Sequence, residues 1–151
     1  MTISKGDYSI TTDKNKMDID FIHSFLTQSY WAEGITKEII SRSIAGSLCF
    51  GVFNKEKQAL PAGRQVGFAR MVTDEATFAY LADVFIAEEH RGKGLSKWLM
   101  EVIMSYPGLQ GLRRILLATK DAHGLYAQFG FTPLVYTDRW MQIHDPFVYK
   151  H

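Results

Sequence analysis

Cys49 is the only cysteine, so the chain forms no internal disulfide and no multi-cysteine metal site, and a reducing compartment, the cytoplasm, is expected. No stretch approaches the ~18 consecutive apolar residues of a membrane span. Met1 to Asp13 also lacks the apolar core of a signal peptide, so no membrane association is expected. Charge of one sign is missing too: 17 Lys and Arg stand against 16 Asp and Glu, spread through the chain. That leaves no basic stripe for nucleic acid. The five histidines show no His-x-x-x-His spacing, and no metal is expected. There is no internal repeat and no low-complexity tract.

What remains is a chain of 151 residues, 46% hydrophobic and 22% charged, which suits one domain over residues 1–151 with a substantial core. Tyr8 to Thr12 reads as a first strand. Asp18 to Tyr30 carries Ile19, Ile22, Phe25 and Leu26 at helical spacing behind Asp18 as N-cap. Thr36 to Ala45 repeats the signal, with Thr36 as cap, Ile39, Ile40 and Ile44 as stripe and Gly46 as stop. Ser47 to Phe53, Gln65 to Thr73 and Phe78 to Ile86 are β-prone runs that predict an antiparallel meander. Between the first two lies Asn54 to Arg64, longer than a hairpin requires and read as a solvated insertion.

A second helix-rich half follows. Leu95, Trp98, Leu99, Val102 and Ile103 recur at helical intervals until Pro107-Gly108, and Leu112 to Ala118 reads as a buried strand. Asp121 is the expected cap of a short helix through Ala122, Leu125, Tyr126 and Phe129, stopped by Gly130. The strand–turn–helix–strand order implies parallel pairing of the flanking strands. Phe131 to Tyr136 and Trp140 to His144 are expected to form a final hairpin.

The junction between the Phe78–Ile86 run and the next helix is Arg91-Gly92-Lys93-Gly94-Leu95-Ser96. Glycines allow a sharp turn and close ligand approach. The N–H groups and positive dipole end of the helix favour phosphate oxygens, and Arg91 and Lys93 add full charges. A P-loop requires Gly-x-x-x-x-Gly-Lys-Ser/Thr, and that spacing is absent. A dinucleotide fingerprint requires a third glycine three positions after the second, where this chain has Lys97.

The pattern that fits is Arg-x-x-Gly-x-Gly/Ala at Arg91, Gly94 and Ser96. It resembles the coenzyme A pyrophosphate loop of the GNAT N-acetyltransferase superfamily. Val84-Phe85-Ile86 precedes it at that family's distance, and Leu125-Tyr126-Ala127-Gln128-Phe129-Gly130-Phe131 is similar to its Leu-Tyr-x-x-x-Gly-Phe signature. The resemblance runs from about Tyr8 to Met141. Ser96 departs from the usual Gly or Ala but is still small, and the Asn54 to Arg64 loop is a second departure.

The resemblance implies an α/β fold with a mixed, mostly antiparallel central sheet flanked by helices and a strand split at the acetyl-CoA site. Val84, Phe85 and Ile86 would offer backbone groups to the pantetheine arm, and Arg91 to Ser96, Gly92, Lys93 and Leu95 included, would hold the diphosphate. Acetyl-CoA would be the co-substrate and an amine the acceptor, attacking the thioester directly. Tyr126 matches the family's acid: a phenol of pKa near 10 is a workable donor to a thiolate whose acid has pKa near 8.5. A backbone N–H near Ile86 would meet the oxyanion.

The base is open. Register places family bases near Tyr80 or Ala82, neither of which is a carboxylate or histidine. Asp83 is the nearest carboxylate, yet alternation turns it to the opposite face. Either a bulge re-aims it, or it is structural, or a water chain carries the proton. The acceptor pocket would draw on Tyr30, Trp31, Glu33, Arg70, Tyr80 and Trp140, with the aromatics suited to cation–π contact. Glu88 and Glu89 read as solvated charges, His123 as structural and Cys49 as core. Monomer and homodimer both fit. A non-catalytic acyl-CoA sensor on the same scaffold is the alternative, and an isolated anion-binding domain is a third reading that leaves the Leu125 to Phe131 motif unexplained.

Overall fold

Among the described residues, alternating apolar runs and glycine turns assemble into one six-stranded sheet whose strands follow chain order. The computed structural model describes residues 1–55 and 63–150. Its strands are β1 (Thr2–Lys5), β2 (Tyr8–Thr11), β3 (Leu48–Asn54), β4 (Arg64–Thr73), β5 (Phe78–Ile86) and β6 (Arg114–Leu117), and its helices are α1 (Ile19–Leu26), α2 (Lys37–Ala45), α3 (Leu95–Met104) and α4 (His123–Ala127). Neighbouring strands are antiparallel except β5 and β6, which are parallel. The sheet is therefore mixed and mostly antiparallel, as the resemblance implied.

The caps act as read: Asp18 accepts from the Phe21 N–H at 3.0 Å and Thr36 from the Ile39 N–H at 3.3 Å. Each face of the sheet carries its own core. Against one face α3 packs Trp98, Leu99, Val102 and Ile103 on Phe50, Val52, Met71, Ala79 and Leu81. Against the other, Ile22, Leu26, Ile40 and Ile44 of α1 and α2 cover Cys49, Phe68 and Phe85.

Strict alternation would send Phe85 to the same face as Ala79 and Leu81. A bulge prevents this. Arg70 pairs with Ala82 and Phe68 with Phe85, so Asp83 and Val84 together oppose Ala69, and Asp83 has φ +56°. An extra residue of this kind flips every side chain beyond it. Phe85 thereby reaches α1, where its ring stacks on Phe25 at 3.9 Å and 4°.

Four features depart from the sequence reading. β1 was not foreseen: it pairs with β2 across Gly6-Asp7, with Gly6 at φ +58°, a two-residue glycine turn that the sequence does display. α1 stops at Leu26, because the Ser29 hydroxyl donates to the Leu26 carbonyl at 2.7 Å and accepts from the Ala32 N–H at 3.2 Å, which diverts the backbone from helix. Asp121 does not cap α4; the Thr119 hydroxyl accepts from the Ala122 N–H instead, at 3.0 Å.

The final hairpin is the fourth. Residues 131–136 and 140–144 join no strand ladder; Tyr136 at φ +54° and a 3-10 turn at Thr137–Arg139 lead the chain off the sheet. Of the expected Asn54 to Arg64 insertion, Asn54 and Arg64 form the last rung between β3 and β4, while residues 56–62 lie outside the described residues.

Candidate active site

The ladder between β5 and β6 has four rungs, Phe78 to Leu81 against Arg114 to Leu117, and stops there. Past Leu81 the bulge at Asp83 carries β5 on to Ile86, while the segment after β6 turns away at Ala118 toward α4. The two strands thus part. Between them opens a cleft of about 530 Å³ whose lining includes Tyr30, Trp31, Tyr80, Asp83, Val84 and Tyr126.

At the far end of β5 a 3-10 turn, Glu88–His90, leads into Arg91 to Gly94 and then α3. Gly92 and Gly94 have φ +77° and +75°, which side chains with a Cβ adopt only under strain. A Cβ at either position would meet nothing within 4 Å, so backbone conformation rather than crowding demands glycine there. Gly94 is the N-cap residue of α3, and its carbonyl accepts from the Trp98 N–H at 3.0 Å. The N–H groups of the following first turn have no partner within the helix. An anion's oxygens fit such a cradle.

Arg91 donates from Nε to the Ile86 carbonyl at 3.0 Å, fixing the loop to the end of β5. Lys93 donates from Nζ to the Tyr8 hydroxyl at 3.2 Å, and that hydroxyl is 2.9 Å from Nδ1 of His90. Leu95 is buried in the α3 core and Ser96 half-buried, while Glu88 and Glu89 are exposed. Phe85 and Ile86 are also buried, their side chains spent on the two cores. Only their backbones are available to a ligand.

Tyr126 is carried into the cleft by α4. Gly130, at φ +92°, turns the chain so that the Phe131 N–H donates to the Tyr126 carbonyl and the two rings meet edge to face at 5.9 Å. This explains the Leu125 to Phe131 spacing mechanically. The phenol is only 9% exposed; burial, with lesser contributions from Tyr30 and Asp121, raises its pKa.

The bulge turns Asp83 toward α1 and α2. Its Oδ2 accepts from Arg70 Nε at 2.9 Å and its Oδ1 from the Trp31 indole N–H at 2.9 Å. Arg70 also donates to the Ser47 hydroxyl at 3.1 Å, so it stands behind the cleft. Trp31 is further held by Phe25, and Tyr30 packs on it edge to face at 5.0 Å. Of the other candidates, Glu33 is paired with Lys150 at 3.1 Å, Trp140 lies on Arg114 away from the cleft, and His123 faces an adjoining groove that shares Tyr126 with it. Cys49 is fully buried, and burial pushes its thiol up to about 11.

Lys120 and Asp121, the second expected only as a helix cap, line the cleft. Lys120 Nζ sits 5.4 Å from the Tyr30 ring centre. No local motif marks either residue; following a strand at its C-terminal end was the one available signal.

A parallel strand pair that parts beside a glycine-turned helix N-terminus defines a protein built to hold an extended ligand with an anionic end. Residues 46–133 match the family model described as an acetyltransferase (GNAT) domain. A Gibberella zeae protein named as a candidate acetyltransferase is 31% identical over 141 residues, 83% of this chain and 78% of that one. The crystal structure of a Xanthomonas campestris pv. campestris protein, described as a candidate GNAT-family acetyltransferase, is 46% identical. It matches 98% of this chain and 100% of its own with a TM-score of 0.89. N-acetylglutamate synthase from Neisseria gonorrhoeae, solved with coenzyme A and L-arginine, shares the fold at 17% identity and a TM-score of 0.65, over 89% of this chain and 31% of that one.

The chain belongs to the GNAT acetyltransferase family. It is an acyltransferase of the kind that takes an acetyl group from acetyl-CoA, which favours the enzyme over the sensor reading. Among the described residues no group of His, Cys, Asp or Glu is arranged to hold a metal ion, and no helix is long and apolar enough to cross a membrane.

Proposed function

We propose that the acceptor is a primary amine, on a small molecule or an exposed amino group, and that it reacts in the cleft at the β5–β6 split. The observation that carries this reading is Tyr126, a buried phenol at the point where the two strands part. Acetyl-CoA supplies the activated acetyl thioester. The loop from Arg91 to Ser96 suits its diphosphate, because Gly92 and Gly94 leave their outer face clear. Backbone groups of Val84, Phe85 and Ile86, beyond the last rung to β6, suit the pantetheine amides.

The amine nitrogen bonds to the acetyl carbon as the C–S bond breaks; Tyr126 gives its proton to the departing sulfur, the proton shed by the nitrogen passes through water to restore the phenol, and a backbone N–H near Ile86, fixed by the sheet, faces the developing oxyanion. Asp83 acts as a positioning residue: with both carboxylate oxygens bonded, it holds Trp31 and Arg70 in place. Tyr30, Trp31 and Tyr80 supply aromatic faces for a cationic amine, and Asp121 is the carboxylate left at the cleft to meet an ammonium.

The test is release of coenzyme A thiol from acetyl-CoA with a panel of amines, polyamines, amino acids, aminoglycosides and peptides. Acetylated amine is the expected product with at least one class. Acetylation confined to hydroxyl or thiol acceptors would overturn the amine reading.

A further inference from the structure

The charged side chains that line the cleft at the β5–β6 split are those of Asp83, Lys120 and Asp121. Asp83 is already answered. Its carboxylate accepts from Arg70 and from Trp31 at 2.9 Å each, so its charge is neutralised from behind the cleft. Lys120 and Asp121 are exposed, and among the described residues neither has an ion pair or a side-chain hydrogen bond. The cleft therefore offers a ligand one cation and one anion on consecutive residues.

Lys120 Nζ lies 5.4 Å from the centre of the Tyr30 ring. A ring face steadies an ammonium without neutralising it, and the charge stays available to an anion. That anion is not the diphosphate: no residue of the Arg91 to Ser96 loop lines the cleft. Tyr30 belongs to the connection between α1 and α2, whose Ala32 and Ile35 pack on the sheet face opposite α3, so Lys120 leans toward the acceptor side. Asp121 is close enough to the Tyr126 phenol to contribute to its raised pKa, which sets it beside the reacting centre.

We infer that the acceptor is an amino carboxylate, a primary amine with a carboxylate a few bonds away, as in an amino acid. Its ammonium meets Asp121 before deprotonation, its carboxylate accepts a charge-assisted hydrogen bond from Lys120, and its carbon frame lies against Trp31 and Tyr80. Consecutive Cα atoms are about 3.8 Å apart, so the two charges serve groups on one small molecule. Polyamines and aminoglycosides bring a second cation against Lys120 and are disfavoured by like-charge repulsion. The inference rests on the reading of the cleft as the site of acetyl transfer to amines.

The test sets each standard amino acid against the amine left when its carboxylate is removed, phenylalanine against phenethylamine for example, in the thiol-release assay. For the pairs that react, the wild type is expected to show kcat/KM about tenfold higher for the amino acid, the order of a hydrogen bond to a charged group. Lys120→Ala is expected to collapse that ratio, Lys120→Glu to invert it and Lys120→Arg to keep it; comparing ratios between proteins cancels the differing basicities of the amines. Residue 120 is exposed, so circular dichroism should be the same for all four proteins. Amines without a carboxylate reacting as well as or better than amino acids overturn the inference while the amine reading stands. So does a Lys120→Ala protein that slows both members of a pair alike, the mark of a structural lysine, or a panel in which no amino acid reacts. Acetylation confined to hydroxyl or thiol acceptors overturns the amine reading and this inference with it.

Discussion

Burial raises the Tyr126 pKa, so the phenol holds its proton to higher pH than an exposed tyrosine does. In the role proposed for Tyr126 the acid form serves the departing thiolate, so the shift is expected to extend activity on the alkaline side. Tyr126→Phe retains the ring against Phe131 and removes only the hydroxyl. It is expected to lower kcat by about 10²–10⁴ with little change in the KM for acetyl-CoA, and to abolish the alkaline limb of the pH–rate profile that this phenol produces. Steady-state kinetics across pH checks both.

Cys49 illustrates the opposite outcome of burial. Its thiol sits among α1 and α2 side chains with no histidine beside it, and desolvation moves it from 9.0 up to about 11. The thiolate, which is the nucleophile, is therefore scarce in the folded protein at pH 9. Native protein should resist iodoacetamide at that pH and react fully once denatured, a difference that mass spectrometry reads directly. Rapid modification of folded protein would contradict the core role.

At the scale of elements, the loop before α3 depends on two backbone conformations. Gly94→Ala must hold φ near +75° against a cost of about 1–2 kcal/mol, although the new methyl group meets no neighbour. The expected result is weaker acetyl-CoA binding in calorimetry with only a modest fall in melting temperature. Unchanged affinity would separate the loop from the coenzyme. The motif was legible because its residues are contiguous: helix dipole, glycine turn and cations all follow from local sequence. The bulge in β5 was legible only as one of three alternatives for Asp83, since nothing local decides among them; it is set by the demand that Phe85 reach Phe25 while Leu81 stays with α3. The Gly6-Asp7 hairpin is carried by a local glycine turn.

Across the whole molecule, Asp83 joins parts of the chain that are remote in sequence: Arg70 on β4, itself bonded to Ser47, and Trp31 between α1 and α2. The ion pair has side-chain exposures of 18% and 8%. Asp83→Ala leaves the Arg70 charge half-buried without its partner and is expected to destabilise the fold by about 3 kcal/mol, the low end for breaking a buried pair. Denaturant unfolding measures it. Arg70→Met with Asp83→Leu should recover much of that loss, since replacing both partners removes the stranded charge, while the rate with amine acceptors stays reduced because Trp31 has lost its anchor.

The pyrophosphate-type loop, the helix caps, the meander and the Leu125 to Phe131 signature were determined by the sequence itself, because each rests on residues within one or two turns of each other. The tertiary structure decided which face Asp83 meets, that Lys120 and Asp121 border the cleft, and that residues 140–144 leave the sheet rather than form its last hairpin. Those outcomes depend on competition among distant surfaces for the same contacts, and the residues that settle the competition are scattered along the chain.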